Sequence, residues 1–125
     1  MEPDRVIEVG LVGAGPWAAT MHGPVLAAGP QTRLAAVWAR RPEAAARLAA
    51  RLGAHPADSY EELLGRCEAV AFAVPPDVQA ALALRAARAG KALLLEKPIA
   101  LDLAGARALA DAAAEYGVVT QLVLT

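Results

Sequence analysis

The sequence predicts an α/β domain built around a doubly wound, mostly parallel β-sheet. Short apolar runs alternate with amphipathic stretches along the chain, a rhythm typical of βαβ units. Several of these runs are apolar throughout, as in parallel strands that are buried on both faces. A glycine-rich turn at 13–15 follows the first run directly. These observations favour one domain of about six strands with helices on both faces of the sheet.

Six strands are predicted from apolar, β-branched runs bounded by glycine, proline or charged residues. They cover residues 6–12, 34–38, 55–57, 69–74, 92–95 and 118–124. The helices between them are predicted from apolar positions at helical spacing. They cover residues 17–28, 42–52, 60–64, 77–89 and 103–116.

End signals support these helices. Ser59 and Asp102 are placed to cap the third and fifth helices. The first helix is expected to end, kink or restart at Gly23-Pro24, because a proline disrupts helical hydrogen bonding. The helix at 42–52 is amphipathic, so Arg47 and Arg51 are expected to point away from the face that packs on the sheet.

The composition limits the class of protein. The chain has 125 residues, 57% of them hydrophobic, a formal net charge of −1 and one cysteine. This length suits one compact domain, and the apolar content excludes intrinsic disorder. The chain has no cluster of Lys and Arg, so we expect small-molecule partners rather than nucleic acid or a membrane surface. We also expect no disulfide, no metal site and, without a signal-peptide pattern, a cytoplasmic location.

The turn after the first strand has the sequence Gly13-Ala14-Gly15-Pro16-Trp17-Ala18, a Gly-x-Gly-x-x-Ala pattern between a strand and a helix. In this context the pattern favours dinucleotide binding over an ordinary turn. Gly13 permits the tight turn, Gly15 lets a pyrophosphate approach the backbone, and Ala18 allows close packing of helix and strand. The amino end of the helix offers N–H groups to the phosphates. We therefore expect residues 13–17 to contact the cofactor.

The end of the second strand favours NADP, although NAD is also compatible. Enzymes that use NAD usually carry an acidic residue here to bind the ribose hydroxyls. This chain has Ala39-Arg40-Arg41 instead. A small neutral residue leaves space for a 2′-phosphate, and two guanidinium groups offer bidentate donors to it. The alternative is that both arginines are solvated loop charges.

Glu96-Lys97-Pro98 follows a buried strand, at the sheet edge where open α/β folds bind ligands. A lysine beside a nicotinamide can hydrogen-bond a substrate hydroxyl and exchange a proton with it. Alternatively, Glu96 and Lys97 form an ion pair at the end of the strand.

With these residues the chain resembles the amino-terminal NAD(P)-binding Rossmann domain of the Gfo/Idh/MocA oxidoreductases, the family of glucose-fructose oxidoreductase and inositol dehydrogenase. The similar segments are residues 10–15, 36–43, 58–64, Pro75-Pro76, 89–91 and Leu95-Glu96-Lys97-Pro98. The resemblance implies hydride transfer between a nicotinamide and a secondary alcohol or ketone of a sugar or cyclitol, with Lys97 as the catalytic residue. It further implies that Glu96, Ala73, Val74, Pro75 and Pro76 border the cofactor.

The chain departs from the family pattern at two positions. The family often has Asp at the position of Ala39, which strengthens the NADP prediction, and often His at the position of Gln79. A glutamine hydrogen-bonds but does not shuttle protons, so Gln79 is predicted only as a weak contact.

The resemblance also implies a longer parent protein. Residues 1–125 correspond to the dinucleotide-binding domain, and a second α/β domain outside this chain supplies most of the substrate pocket and the oligomer contacts. We therefore expect this chain alone to be inactive. The alternative functions are a nucleotide-sensing regulator on the same fold, without hydride transfer, and a methyltransferase-type fold, which Glu96-Lys97-Pro98 disfavours.

Four other residues are predicted to be structural. His22 lies near the helix break with no partner evident in the sequence, and Cys67 is expected to be an inert, packed thiol. Trp17 and Trp38 are expected to pack in the core or at the rim of the cofactor site.

Overall fold

A computed structural model describes residues 5–123 and confirms the doubly wound fold. The six strands form one parallel sheet in the order β3-β2-β1-β4-β5-β6. They are β1 (Ile7–Val12), β2 (Thr32–Trp38), β3 (His55–Pro56), β4 (Ala69–Phe72), β5 (Ala92–Glu96) and β6 (Thr120–Val123). The order reverses between β1 and β4, which places a crevice at the carboxyl ends of these two strands.

Five α-helices connect the strands: α1 (Gly23–Ala28), α2 (Pro42–Leu52), α3 (Tyr60–Gly65), α4 (Pro76–Arg88) and α5 (Leu103–Tyr116). Both predicted caps are confirmed. The Ser59 hydroxyl accepts a hydrogen bond from the Glu62 N–H at 3.0 Å, and the Asp102 carboxylate accepts one from the Gly105 N–H at 2.8 Å. Within residues 5–123, none of the helices is long and apolar enough to cross a membrane.

Alternate side chains of the central strands fill two separate cores. Leu11, Val37 and Ala71 pack on one face of the sheet with α1 and α2. Val12 and Phe72 pack on the other face with α3, α4 and α5. Burial on both faces explains why these strands are apolar throughout, as predicted.

Several predicted strand limits were wrong by one or two residues. β2 begins at Thr32 rather than 34, and β4 ends at Phe72 rather than 74. β5 extends to Glu96, whereas β6 begins at Thr120 rather than 118. The predicted end of the last strand, Leu124, lies outside the described residues.

The first helix restarts at Gly23-Pro24 with no break in the helical residues. Residues 16 and 17 are helical, a π-helical segment covers Ala18–His22, and α1 follows at Gly23. The Gly23 N–H donates to the carbonyl of Ala18, five residues back. Pro24 has no N–H and its ring crowds the preceding turn, so a widened turn here is physically reasonable. This segment controls where His22 points.

Candidate functional site

Two adjoining cavities lie at the carboxyl edge of the sheet. The larger, about 560 Å³, lies between the ends of β1, β2 and β4. The smaller, about 340 Å³, lies between the glycine turn and the end of β5. Both cavities are bordered by Gly15, Ala73, Val74 and Pro75. They therefore form one continuous cleft.

The glycine turn forms the floor between the cavities. Gly13 has φ of +115°, and a Cβ there would clash with the carbonyl oxygen of Ala73. Its N–H donates to the Trp38 carbonyl at 2.8 Å, so the turn is bound to β2. At Gly15 a Cβ would meet nothing within 4 Å. Gly13 is thus required by the fold, whereas Gly15 leaves open space beside the backbone for a ligand.

The larger cavity is positively charged. Of the charged residues between 5 and 123, Arg40, Arg41 and Arg47 line it and no carboxylate does so. None of the ion pairs within residues 5–123 involves these three arginines. Arg47 is exposed, as the amphipathic pattern predicted, and its side chain also lines the cavity, because side chains on a helix lean toward its amino end. Arg51, one turn later, donates to the carbonyl of Ala19 at 2.6 Å and does not line the cavity.

The smaller cavity contains Glu96 and Lys97. The Glu96 Oε1 accepts a hydrogen bond from Trp17 Nε1 at 2.7 Å, and His22 Nε2 lies 2.7 Å from the same oxygen. Partial burial raises the pKa of Glu96, but hydrogen bonds from Trp17 and His22 outweigh it and leave that pKa below its usual value. Within residues 5–123 no ion pair joins Glu96 to Lys97, so the pairing considered from the sequence does not form.

Gln79 fixes the backbone of this segment. Its side chain is fully buried. The side-chain oxygen accepts from the Glu96 N–H at 2.8 Å, and Nε2 donates to the Glu96 carbonyl at 2.8 Å and the Ile99 carbonyl at 3.2 Å. Gln79 therefore holds the backbone of residues 96–99 by hydrogen bonds and is not the ligand contact considered from the sequence.

Comparison with known proteins identifies the family. Residues 7–123 match a family model described as "Oxidoreductase family, NAD-binding Rossmann fold". The chain belongs to the Gfo/Idh/MocA family. Over 113 residues it is 37% identical to dTDP-3,4-didehydro-2,6-dideoxy-alpha-D-glucose 3-reductase of Actinomadura kijaniata, covering 89% of this chain and 34% of that protein. The same reductase of Streptomyces violaceoruber is 35% identical, covering 94% of this chain and 35% of that protein.

Solved structures of Gfo/Idh/MocA proteins share the fold. A 3-ketoreductase from Actinomadura kijaniata, in complex with NADP and TDP-benzene, has a TM-score of 0.88 and 35% identity over 94% of this chain and 37% of its own. UDP-N-acetylglucosamine 3-dehydrogenase from Acidithiobacillus ferrooxidans has a TM-score of 0.88 and 32% identity over 94% of this chain and 38% of its own. This chain thus spans about a third of the length of the curated relatives.

The structure of this Gfo/Idh/MocA domain brings the predicted site residues together with two exceptions, Pro76 and the weak contact Gln79. Every other residue predicted to contact the cofactor lines one or both cavities. Pro76 is instead the first residue of α4, where its fixed φ suits a helix start. The open space at Gly15 and the three unpaired arginines fit a dinucleotide whose phosphates lie along the cleft.

Sequence reasoning missed two residues of the site, Arg47 and His22. His22 was predicted to be structural without a polar partner, but it is buried and contacts Glu96. Cys67 is buried and burial raises the pKa of its thiol, which confirms the prediction of a packed cysteine. No group of three metal-ligating side chains occurs within residues 5–123.

Proposed function

We propose that residues 1–125 are the cofactor-binding domain of a longer oxidoreductase. That enzyme transfers a hydride between NADP and a secondary alcohol or ketone of a sugar. The observation that carries this proposal is the charge of the larger cavity: in the part of the chain that the structure describes, three guanidinium groups and no carboxylate line it.

The end of β2 supports NADP as the preferred cofactor. A carboxylate at this position would hold the ribose hydroxyls of NAD and repel a 2′-phosphate. Ala39 leaves that space open, and Arg40 and Arg41 border it with exposed guanidinium groups. The A. kijaniata 3-ketoreductase, which shares this fold, binds NADP.

Lys97 is proposed as the proton donor and acceptor. Its side chain is exposed, lines the smaller cavity and has no ion-pair partner within residues 5–123. Bound NADPH supplies the hydride. As the substrate carbonyl is reduced, Lys97 donates a proton from Nζ to its oxygen, which yields the alcohol, and it regains a proton from solvent. In the oxidative direction Lys97 accepts the hydroxyl proton.

The relatives support a nucleotide-linked sugar as the substrate class. The matched reductases act on dTDP-sugars, and the dehydrogenase from A. ferrooxidans acts on UDP-N-acetylglucosamine. We place the pocket for such a substrate mainly in a second domain beyond residue 125, because this chain spans about a third of the length of these relatives.

The test is turnover by the full-length protein. With NADP⁺ and UDP-N-acetylglucosamine or a dTDP-linked sugar, we expect NADPH formation. Lys97→Ala should lower kcat by about 100-fold, whereas Lys91→Ala, which changes the chain's other lysine, should not. An unchanged kcat in Lys97→Ala contradicts the role of Lys97. Tight NADP binding without turnover of any sugar favours the nucleotide-sensing alternative.

A further inference from the structure

Glu96 is held by a histidine that lies 74 residues earlier in the chain. The side chain of His22 is only 4% exposed and that of Glu96 15% exposed. An ionised carboxylate accepts hydrogen bonds but donates none, so His22 Nε2 carries the proton between them. Trp17 Nε1 donates to the same oxygen from the preceding turn of the helix. The helical segment that follows the glycine turn therefore contacts the end of β5 through the Glu96 carboxylate.

We propose that His22 is a positioning residue for Lys97: by holding the Glu96 carboxylate, it prevents that carboxylate from pairing with the Lys97 ammonium group. Trp17 assists from the rim of the cavity. The contact between His22 and Glu96 is a feature of the geometry. Only its effect on catalysis rests on the proposed function of Lys97.

The alternative partner for the Glu96 carboxylate is the Lys97 ammonium group. Glu96 and Lys97 are adjacent in sequence, have opposite charges and line the same cavity. A partly buried carboxylate that loses a donor takes another cation where one is in reach, because desolvation makes an unpaired charge costly. For Glu96 the adjacent candidate is Lys97.

The backbone around Glu96 cannot relax in place of its side chain. Gln79 binds both the N–H and the carbonyl of Glu96, each at 2.8 Å. Only the Glu96 side chain can then change its partner from His22 to Lys97. The π-helical segment presents His22 to it, because widening a turn by one residue changes the side on which the following side chain lies.

Chemical labelling of the chain's two lysines tests this inference without a cofactor. Lys91 precedes β5 and donates to the Cys67 carbonyl at 2.9 Å, whereas Lys97 follows the other end of the strand. Lys91 is therefore an internal reference. The measurement is the ratio of Lys97 to Lys91 acylation at limiting reagent, quantified by peptide mass spectrometry at constant pH.

We expect His22→Leu to lower the Lys97 to Lys91 ratio by about threefold, since an ion pair with Glu96 protects the Lys97 amine. His22→Gln places an N–H donor near the position of Nε2 and should restore the ratio. The double variant His22→Leu, Glu96→Gln should restore it too, because a neutral amide forms no ion pair. If His22→Leu lowered the ratio only by disturbing the packing, neither variant would restore it.

An unchanged ratio in folded His22→Leu overturns the proposal, as does a low ratio that persists in the double variant. If His22→Leu does not fold, His22→Met provides the test. Methionine is flexible enough to fill an irregular buried site and has no N–H donor for Glu96. A lower ratio in His22→Met that Glu96→Gln reverses supports the proposal, and an unchanged ratio in the folded variant contradicts it.

Discussion

Gly13 and Gly15 of the glycine turn have different physical roles although they are two residues apart. Gly13 adopts a positive φ and a Cβ there would clash with the carbonyl of Ala73, so the backbone itself requires a glycine there. Gly15 has no positive φ and a Cβ there would meet no close neighbour, so the fold does not require a glycine and we assign this position to ligand binding. The two positions separate the contribution of the turn to folding from its contribution to binding.

We predict opposite phenotypes for alanine at these positions. Gly13→Ala should lower the free energy of unfolding by about 1–3 kcal/mol, because it combines backbone strain with a clash. Gly15→Ala should leave that free energy within about 0.5 kcal/mol of wild type and lower NADPH affinity about tenfold, a loss of about 1.4 kcal/mol. Denaturant unfolding and calorimetric titration measure the two quantities. A stable Gly13→Ala, or wild-type affinity in Gly15→Ala, would contradict this assignment.

Residues that act through local sequence could be predicted, and residues that act across the fold could not. The glycine turn was predicted from its spacing, and Lys97 from its position at the end of a strand and from the family resemblance; the structure places both at the cleft. His22 was not, because its partner lies 74 residues away and a π-helical turn sets its direction. Arg47 was not predicted as a site residue, because an amphipathic pattern gives the buried face of a helix but not the lean of a long side chain.

At the scale of elements, the contact between α4 and β5 depends on one buried amide. Replacing Gln79 with the similarly sized Leu removes every hydrogen bond to the backbone of residues 96–99. We predict a loss of about 2–4 kcal/mol in the free energy of unfolding, since several buried backbone groups lose their partner. Gln121→Leu, on exposed β6, is the matched control and should change little. Equal losses in the free energy of unfolding of the two variants would show that the Gln79 hydrogen bonds do not stabilise this contact.

Tyr60 links α3 to α4 and gives the domain an alkaline limit. Its hydroxyl donates to the Leu82 carbonyl at 2.7 Å. Burial raises the pKa of Tyr60 above its ordinary value, and the nearby Arg85 guanidinium only partly opposes this. The folded state therefore keeps the phenol neutral while the unfolded chain ionises.

It follows that stability should fall as the pH rises above about 10, because only the unfolded state then releases the Tyr60 proton. Urea unfolding at several pH values between 8 and 11 measures this slope. Tyr60→Phe should flatten it, whereas Tyr116→Phe should not, since Tyr116 is exposed. If Tyr60→Phe keeps the full slope, another group causes the alkaline loss.

Over the whole molecule, the sheet assembles the site from four strand ends that are distant in sequence. The strands and their parallel arrangement were predictable, because apolar runs and end signals are read directly from the chain. Strand limits were less accurate, since β4 ends where its ladder ends rather than where its apolar run ends. The relation of the two cavities to each other emerges only from the fold.

The most direct test of the account is a calorimetric titration of this chain with NADPH and with NADH. We predict tighter binding of NADPH, a preference that Arg40→Ala and Arg47→Ala each reduce by about tenfold, as expected for loss of a charge-assisted contact to a phosphate. Arg51→Ala is the matched control, because its guanidinium binds the Ala19 carbonyl outside the cavity. Equal affinities for the two nucleotides, or a preference for NADH, would contradict the assignment of the arginine-lined cavity to the 2′-phosphate.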